Sequence, residues 1–276
     1  MKKALVPLCI AACLLVLGVC LLIIGFALNG WKSFGVLPIE QTTQTYDQPY
    51  SSVEIDCEIL AVEILPSEDS TTKIEYPVHP KIKVSCSVEN GKLVLHQENL
   101  SLFSFWFRSP KITLSIAGTP SVYAKTDTGA ISLKNLSLGD CELRAQTGAV
   151  RMERCAADRV TIHTDTGAAK LVDITANSLD CKTDTGAQTL KIVTATTVTL
   201  EADTGSIRAE RLSASFLTAE ADTGSIHLNI VGKKEEYSVW VDVDLGSKNI
   251  SNQAGTTEKT LNLRADTGSV HVTFEN

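Results

Sequence analysis

Six copies of the triplet Asp-Thr-Gly are the residues of this chain most open to a chemical reading. They are Asp127-Thr128-Gly129, Asp165-Thr166-Gly167, Asp184-Thr185-Gly186, Asp203-Thr204-Gly205, Asp222-Thr223-Gly224 and Asp266-Thr267-Gly268. In aspartic proteases two such loops share one proton between adjacent carboxylates. Here the triplets recur at a fixed period, and Gln146-Thr147-Gly148 replaces one acid with an amide. The flanks also lack the apolar strand that runs directly into a protease loop. These features favour structural corners over catalysts. A cation-binding column is the second chemistry to weigh. Asp165, Asp184, Asp203 and Asp222 would stack about 5 Å apart on neighbouring coils. Calcium takes roughly 6–8 oxygen ligands, whereas each coil offers one carboxylate and Gln146 interrupts the ladder. No metal or cofactor is therefore assigned. The histidines are His79, His96, His163, His227 and His271. The last three fall on outward positions of coils not adjacent in the sequence, and a shared metal needs its ligands close together.

The elements that must hold these residues follow from the period. Glycines 129, 148, 167, 186, 205 and 224 recur at one constant interval. A degraded copy, Asp244-Leu245-Gly246-Ser247, lies midway between Gly224 and Gly268, at a slightly longer interval from each. Seven residues before the glycines stand Val122, Cys141, Val160, Leu179, Val198, Leu217, Val239 and Leu261. Five before stand Ala124, Leu143, Ile162, Cys181, Leu200, Ala219, Val241 and Leu263, with mostly polar residues between the two sets. The alternation resumes two and four residues after each glycine. Such a pattern predicts short strands with one buried face. One coil cannot bury its apolar face alone, so the coils must stack. The expected fold is all-β: a parallel β-solenoid of about eight coils with repeats of roughly 19–22 residues, running over 121–276. Each Asp-Thr-Gly is then a corner, where glycine permits a positive φ.

Residues 46–120 are expected to form a β-rich N-terminal cap on the solenoid, since open parallel ends invite aggregation. Its strand candidates are Val53–Cys57, Lys81–Val84, Leu93–Leu95 and Ile112–Ile116. Residues 29–45 read as a spacer, and 1–28 as a cytoplasmic stub with a transmembrane anchor. Ala4 to Leu28 is 25 residues without a charge, against the roughly 20 that a bilayer core requires. Gly25-Phe26-Ala27 leaves a cleaved signal peptide open, and Ile10-Ala11-Ala12-Cys13 a lipoprotein box. Lys2 and Lys3 favour a cytoplasmic N-terminus. The expected location is the cell membrane, single-pass, with the solenoid extracytoplasmic.

Net charge is −7, which argues against nucleic acid as a partner. Five cysteines lie outside the membrane segment. Three of them fall on core positions of the repeat, and Cys57 with Cys86 is the one conceivable disulfide. Between residues 124 and 230 the only Phe, Trp or Tyr is Phe216, so a sugar-stacking cleft is not expected. Outward Lys125, Arg144, Lys182, Arg151, Lys170 and Arg208 suggest a broken basic stripe that Glu201 and Glu220 end. The densest aromatic cluster is Leu102–Arg108, in which Trp106 is the candidate partner contact.

A membrane segment, a β-rich start and repeated Thr-Asp-Thr-Gly-Ala/Ser units resemble a family of bacterial cell-envelope proteins. It is a β-strand-repeat domain of unknown function, often labelled "putative adhesin", and the similarity covers about residues 50–275. The resemblance implies a non-enzymatic surface interaction protein that binds a protein or a wall or matrix polymer. The alternative is an envelope scaffold or sensor working with membrane proteins of the same cell.

Overall fold

A computed structural model describes residues 40–78, 82–99 and 111–275. The expected anchor at 4–28, His79 and Trp106 lie outside the described residues. Among the described residues no helix is long and apolar enough to cross a membrane, and strands account for almost all of the ordered structure.

The first seven strands are β1 (Glu40–Tyr46), β2 (Ser52–Cys57), β3 (Ala61–Pro66), β4 (Thr72–Val78), β5 (Ile82–Glu89), β6 (Lys92–Asn99) and β7 (Lys111–Ile116). Strands β2 and β3 make one tier of a stack, and β6 and β7 make another. The regular repeat opens with β8 (Ser121–Thr128) and β9 (Ile131–Lys134). The tiers do not follow chain order. β2 pairs in parallel with β6 on one side (Ile55↔Leu95) and with β8 on the other (Ile55↔Ala124). The first tier of the chain is therefore the second tier in space. The outer tier is closed by antiparallel strands: β5 on β6, β4 on β7 and β1 on β4. Antiparallel strands satisfy the row of backbone groups that a parallel end leaves open. Residues 40–46, at the end of the expected spacer, thus belong to the folded body as an edge strand. Gln97, fully buried, holds the turn between β2 and β3. Its Oε1 accepts from the N–H groups of Ile59 (3.0 Å) and Leu60 (3.2 Å).

The middle of the stack consists of β10 (Ser137–Thr147), β11 (Val150–Thr166), β12 (Ala169–Thr185), β13 (Gln188–Thr204) and β14 (Ile207–Thr223). Each pairs in parallel with the next at a shift of one full repeat, as in Cys141↔Val160↔Leu179↔Val198↔Leu217. Side chains at these positions are essentially inaccessible. Full burial of an aliphatic side chain contributes about 1.5–3 kcal/mol, so the aligned columns dominate stability. The long strands also bend. Asn135, Arg154, Asp173, Ile192 and Arg211 all have φ between 52° and 57°. They recur at the same interval as the glycines and form a second corner between one Asp-Thr-Gly and the next.

At the C-terminal end come β15 (Ile226–Val231), a single 3-10 turn (Lys234–Glu236), β16 (Tyr237–Lys248) and β17 (Lys259–Glu275). Here the expected order is corrected. β17 lies directly on β14 and β15 (Leu217↔Leu261, Ile226↔Val270), and β16 lies beyond it (Gly246↔Gly268). In space the glycines run 224, 268, 246. The physical reason lies in the two strands. β17 carries a complete triplet and buries Leu261, Leu263, Ala265 and Val270, so it can be packed from both sides. From Asp242 onward β16 is half-buried at best, which suits only the last place in a stack. Loop 249–258 folds over its other half, where Val239 and Gln253 exchange backbone hydrogen bonds of 2.9 and 3.0 Å. Counting β2–β3 and β6–β7, the stack holds two more tiers than its glycines announce.

Candidate interaction surface

The Asp-Thr-Gly corners form a ladder of touching glycines. A Cβ on Gly186 would lie 1.8 Å from the carbonyl oxygen of Gly167, and φ there is +153°. Gly129 packs the same way onto the Leu60 carbonyl, Gly268 onto Gly224 and Gly246 onto Gly268. Each corner is tied to the next tier by a hydrogen bond, as where Gly186 N–H donates to Thr204 O at 2.9 Å. The threonine before the triplet is buried at 126, 164 and 183, and Thr164 Oγ1 donates to the Gly167 carbonyl (3.3 Å).

This geometry points the Asp side chains outward, beside the outward residues two places earlier. At three corners that residue lies within ion-pair distance of the acid, whereas beside Asp203 and Asp222 it is itself an acid, Glu201 or Glu220. Lys125 Nζ lies 3.7 Å from Asp127, His163 Nε2 lies 3.0 Å from Asp165, and Arg264 Nε lies 3.1 Å from Asp266. Lys182 reaches Glu201 (3.6 Å) and Asp203 (3.9 Å) in the next tier, and these acids raise its pKa. Arg144 is held by Glu142 at 2.7 Å.

Ligand-type atoms of His163, Asp165 and Asp184 come within 4.8 Å of one another. Lys182, in register with His163 on the next strand, stands beside this group and already feels the charge of Asp184. One oxygen of Asp184 is enclosed without a partner, but so is one of Asp127, where the paired residue is Lys125. The enclosed oxygen thus belongs to the corner and does not mark a metal centre. The remaining corner acid, Asp222, stands among the same outward set.

The sequence places His227 and His271 on coils that are not adjacent, and the structure corrects this. The exchanged tier order puts them in register on neighbouring strands, with ring centroids 6.0 Å apart. Burial lowers the pKa of His227, with Arg208 and His271 adding to the effect. All five described cysteines are free, so Cys57 and Cys86 are not joined. Burial pushes the Cys57 thiol up to about 12 and raises Cys141 and Cys181 as well, which makes them inert core residues.

Two features escaped the repeat pattern. Gln188 occupies an inward position that other tiers fill with Ile, Val or Ala, and it is fully buried. Its Nε2 donates to the carbonyls of Cys181 (3.0 Å) and Glu201 and to Thr183 Oγ1 (3.3 Å). Second, large apolar side chains are exposed at Ile192, Phe216, Trp240 and Leu245. For Trp240 the outward place in the alternation was the available signal.

The comparisons bear on this geometry. Residues 50–276 match the family model described as Toastrack DUF4097. No curated protein matches. Among solved structures, one described as a "putative adhesin" from Bacteroides fragilis is similar with a TM-score of 0.57 at 16% identity, covering 84% of this chain and 97% of that one. A second, from Parabacteroides distasonis, has a TM-score of 0.58 at 13% identity, covering 85% and 98%. A third, described as a "putative lipid binding protein" from the same species, has a TM-score of 0.56 at 13% identity, covering 84% and 96%. At these identities the likeness is one of fold.

Proposed function

The chain belongs to the Toastrack DUF4097 family, and from that premise we propose that it is a non-enzymatic, extracytoplasmic interaction protein anchored by residues 4–28. The observation that carries this reading is the register. Outward side chains one repeat apart are locked into straight columns by continuous parallel pairing from β10 to β14. Such a surface is rigid and repetitive, and rigidity lowers the ordering cost of binding an extended ligand. Four of the corner acids, Asp127, Asp165, Asp203 and Asp266, stand in local ion pairs on an outward face, which supports a structural role for the triplets. The adhesin description of related folds agrees with an interaction role, as does a lipid-binding one in the broader sense of a surface partner.

A photoreactive residue at Thr199, on an outward face of β13, tests the reading in living cells. Capture of wall polymer, or of matrix or foreign-cell components when these are added, is the expected result. Capture confined to proteins of the same membrane would replace it with the scaffold or sensor reading. Hydrolysis of a wall or matrix polymer, abolished by one Asp→Asn change in the triplets, would overturn the non-enzymatic part.

A further inference from the structure

The basic residues of this chain fall into two columns with different electrostatic fates. Lys125, Arg144, His163 and Lys182 stand four residues before their glycines, and each has an acid within 3.9 Å. The other column stands three residues after the glycines. Pairing aligns Ser132, Arg151 and Lys170 across successive strands, then Lys170, Thr189 and Arg208, then Arg208, His227 and His271. Every member can donate a hydrogen bond, and none is a carboxylate.

Arg151, Lys170 and Arg208 are exposed and have no ion-pair partner among the described residues. The nearest acids on this face are already engaged: Glu63 by Lys111 and Lys134, Glu153 by Arg154, and Glu210 by Lys191 at 2.8 Å. A shallow trough of about 640 Å³ runs beside the column, and its wall includes Ser132, Lys134, Arg151, Lys170, Lys191 and one acid, Glu153. The molecule is acidic overall, at −7, yet this track holds uncompensated positive charge.

We propose that the column of Arg151, Lys170 and Arg208, continued by His227 and His271, is a binding track for a linear phosphate polyanion lying along the stack axis. This deepens the interaction reading above and rests on it. The ligand must be linear because the column is one residue wide and advances about 4.8 Å per tier. It must be anionic because the column itself holds only donors and cations, and Glu153 on the trough wall is already held by Arg154. A folded protein partner fits poorly, since the buried core of a protein interface is apolar and depleted of charge and this column is polar or basic throughout. Phosphate suits Arg, whose planar fork matches its oxygens, and Lys, which meets it as a point charge.

The test uses the full chain in non-ionic detergent, titrated with linear inorganic polyphosphate, with poly-glutamate and dextran as comparators. Polyphosphate is expected to bind, and its affinity to fall with salt at a log–log slope of roughly −0.7 per neutralised phosphate. The triple variant R151Q/K170Q/R208Q is expected to lose on the order of 100-fold in affinity, at about fivefold per cation. K125Q/R144Q/K182Q, which changes the neutralised column, should bind as the parent does. Equal loss in both triple variants, no loss in the first, or equal affinity for poly-glutamate would overturn the proposal. If polyphosphate fails to bind while Thr199 still captures a partner, the track is wrong and the interaction reading stands. If both fail, both are wrong.

Discussion

The middle of the stack and its two ends obey the same pairing rule but thread the chain differently. From Gly129 to Gly224, the next tier in sequence is the next tier in space. At each end the last two tiers are exchanged: β2–β3 sits inside β6–β7, and β17 sits inside β16. The better-formed tier takes the inner place, and the tier that accepts a cover takes the outer one. At the N-terminal end the cover is three antiparallel strands. At the C-terminal end it is a loop over half of β16, while Asp242–Lys248 stays open with Asp242, Asp244 and Lys248 along the edge. Charged residues on an open edge discourage strand addition.

The glycine ladder gives the largest expected contrast between middle and end. Gly186→Ala places a Cβ against the Gly167 carbonyl in a tier packed on both sides. A loss of more than about 3 kcal/mol in chemical unfolding, or failure to fold, is expected. Gly246→Ala meets the same clash with Gly268, but its tier is last and can lift away. A loss of about 1 kcal/mol is expected there. Equal losses at the two positions would show that the end is as constrained as the middle.

The second corner should respond in the opposite direction. Ile192 holds φ of 55°, a conformation that costs a β-branched residue roughly 1–2 kcal/mol, and its side chain is 50% exposed. Ile192→Asn should therefore raise stability by about 1 kcal/mol, visible as a higher midpoint in urea.

The smallest effect is a pH dependence set mainly by the burial of His227, to which the exchange of the end tiers adds the neighbouring His271. His227 has a lowered pKa in the fold, so below its unfolded value of about 6.5 the unfolded chain binds more protons than the folded one. Stability should fall as pH drops from about 7.5 to about 5.5. His271→Gln removes one of the charges facing His227 and should reduce that fall, with Arg208 and burial still acting. Unfolding curves at the two pH values measure both.

Much of this architecture is legible in the residues. The constant glycine interval and the inward columns mark the strands, and the core residues at those positions are buried. The glycine corners are legible because only glycine fits the contact. The second corner is not, since Asn135, Arg154, Asp173, Ile192 and Arg211 share a dihedral angle but no chemistry. Strands β3 and β4 also went unmarked, because one lies outside the period and the other pairs antiparallel. Tier order was hidden for a more general reason: any two tiers with the same inward columns can stack, so periodicity does not say which one is the neighbour. The contact between His227 and His271 was hidden with it. The neutral and the uncompensated basic columns look alike in sequence, since only the fold shows which of them lies beside the aspartates.

Tier order at the C-terminal end is the central structural claim, and one pair of double-cysteine variants tests it directly. Ser225 Oγ and Ser269 Oγ lie 3.1 Å apart, while Ser247 is in register with Ser269 on its far side. Under mild oxidation S225C/S269C should form an intramolecular disulfide and S225C/S247C should not. A disulfide in S225C/S247C, with none in S225C/S269C, would contradict the exchange and return the tiers to chain order.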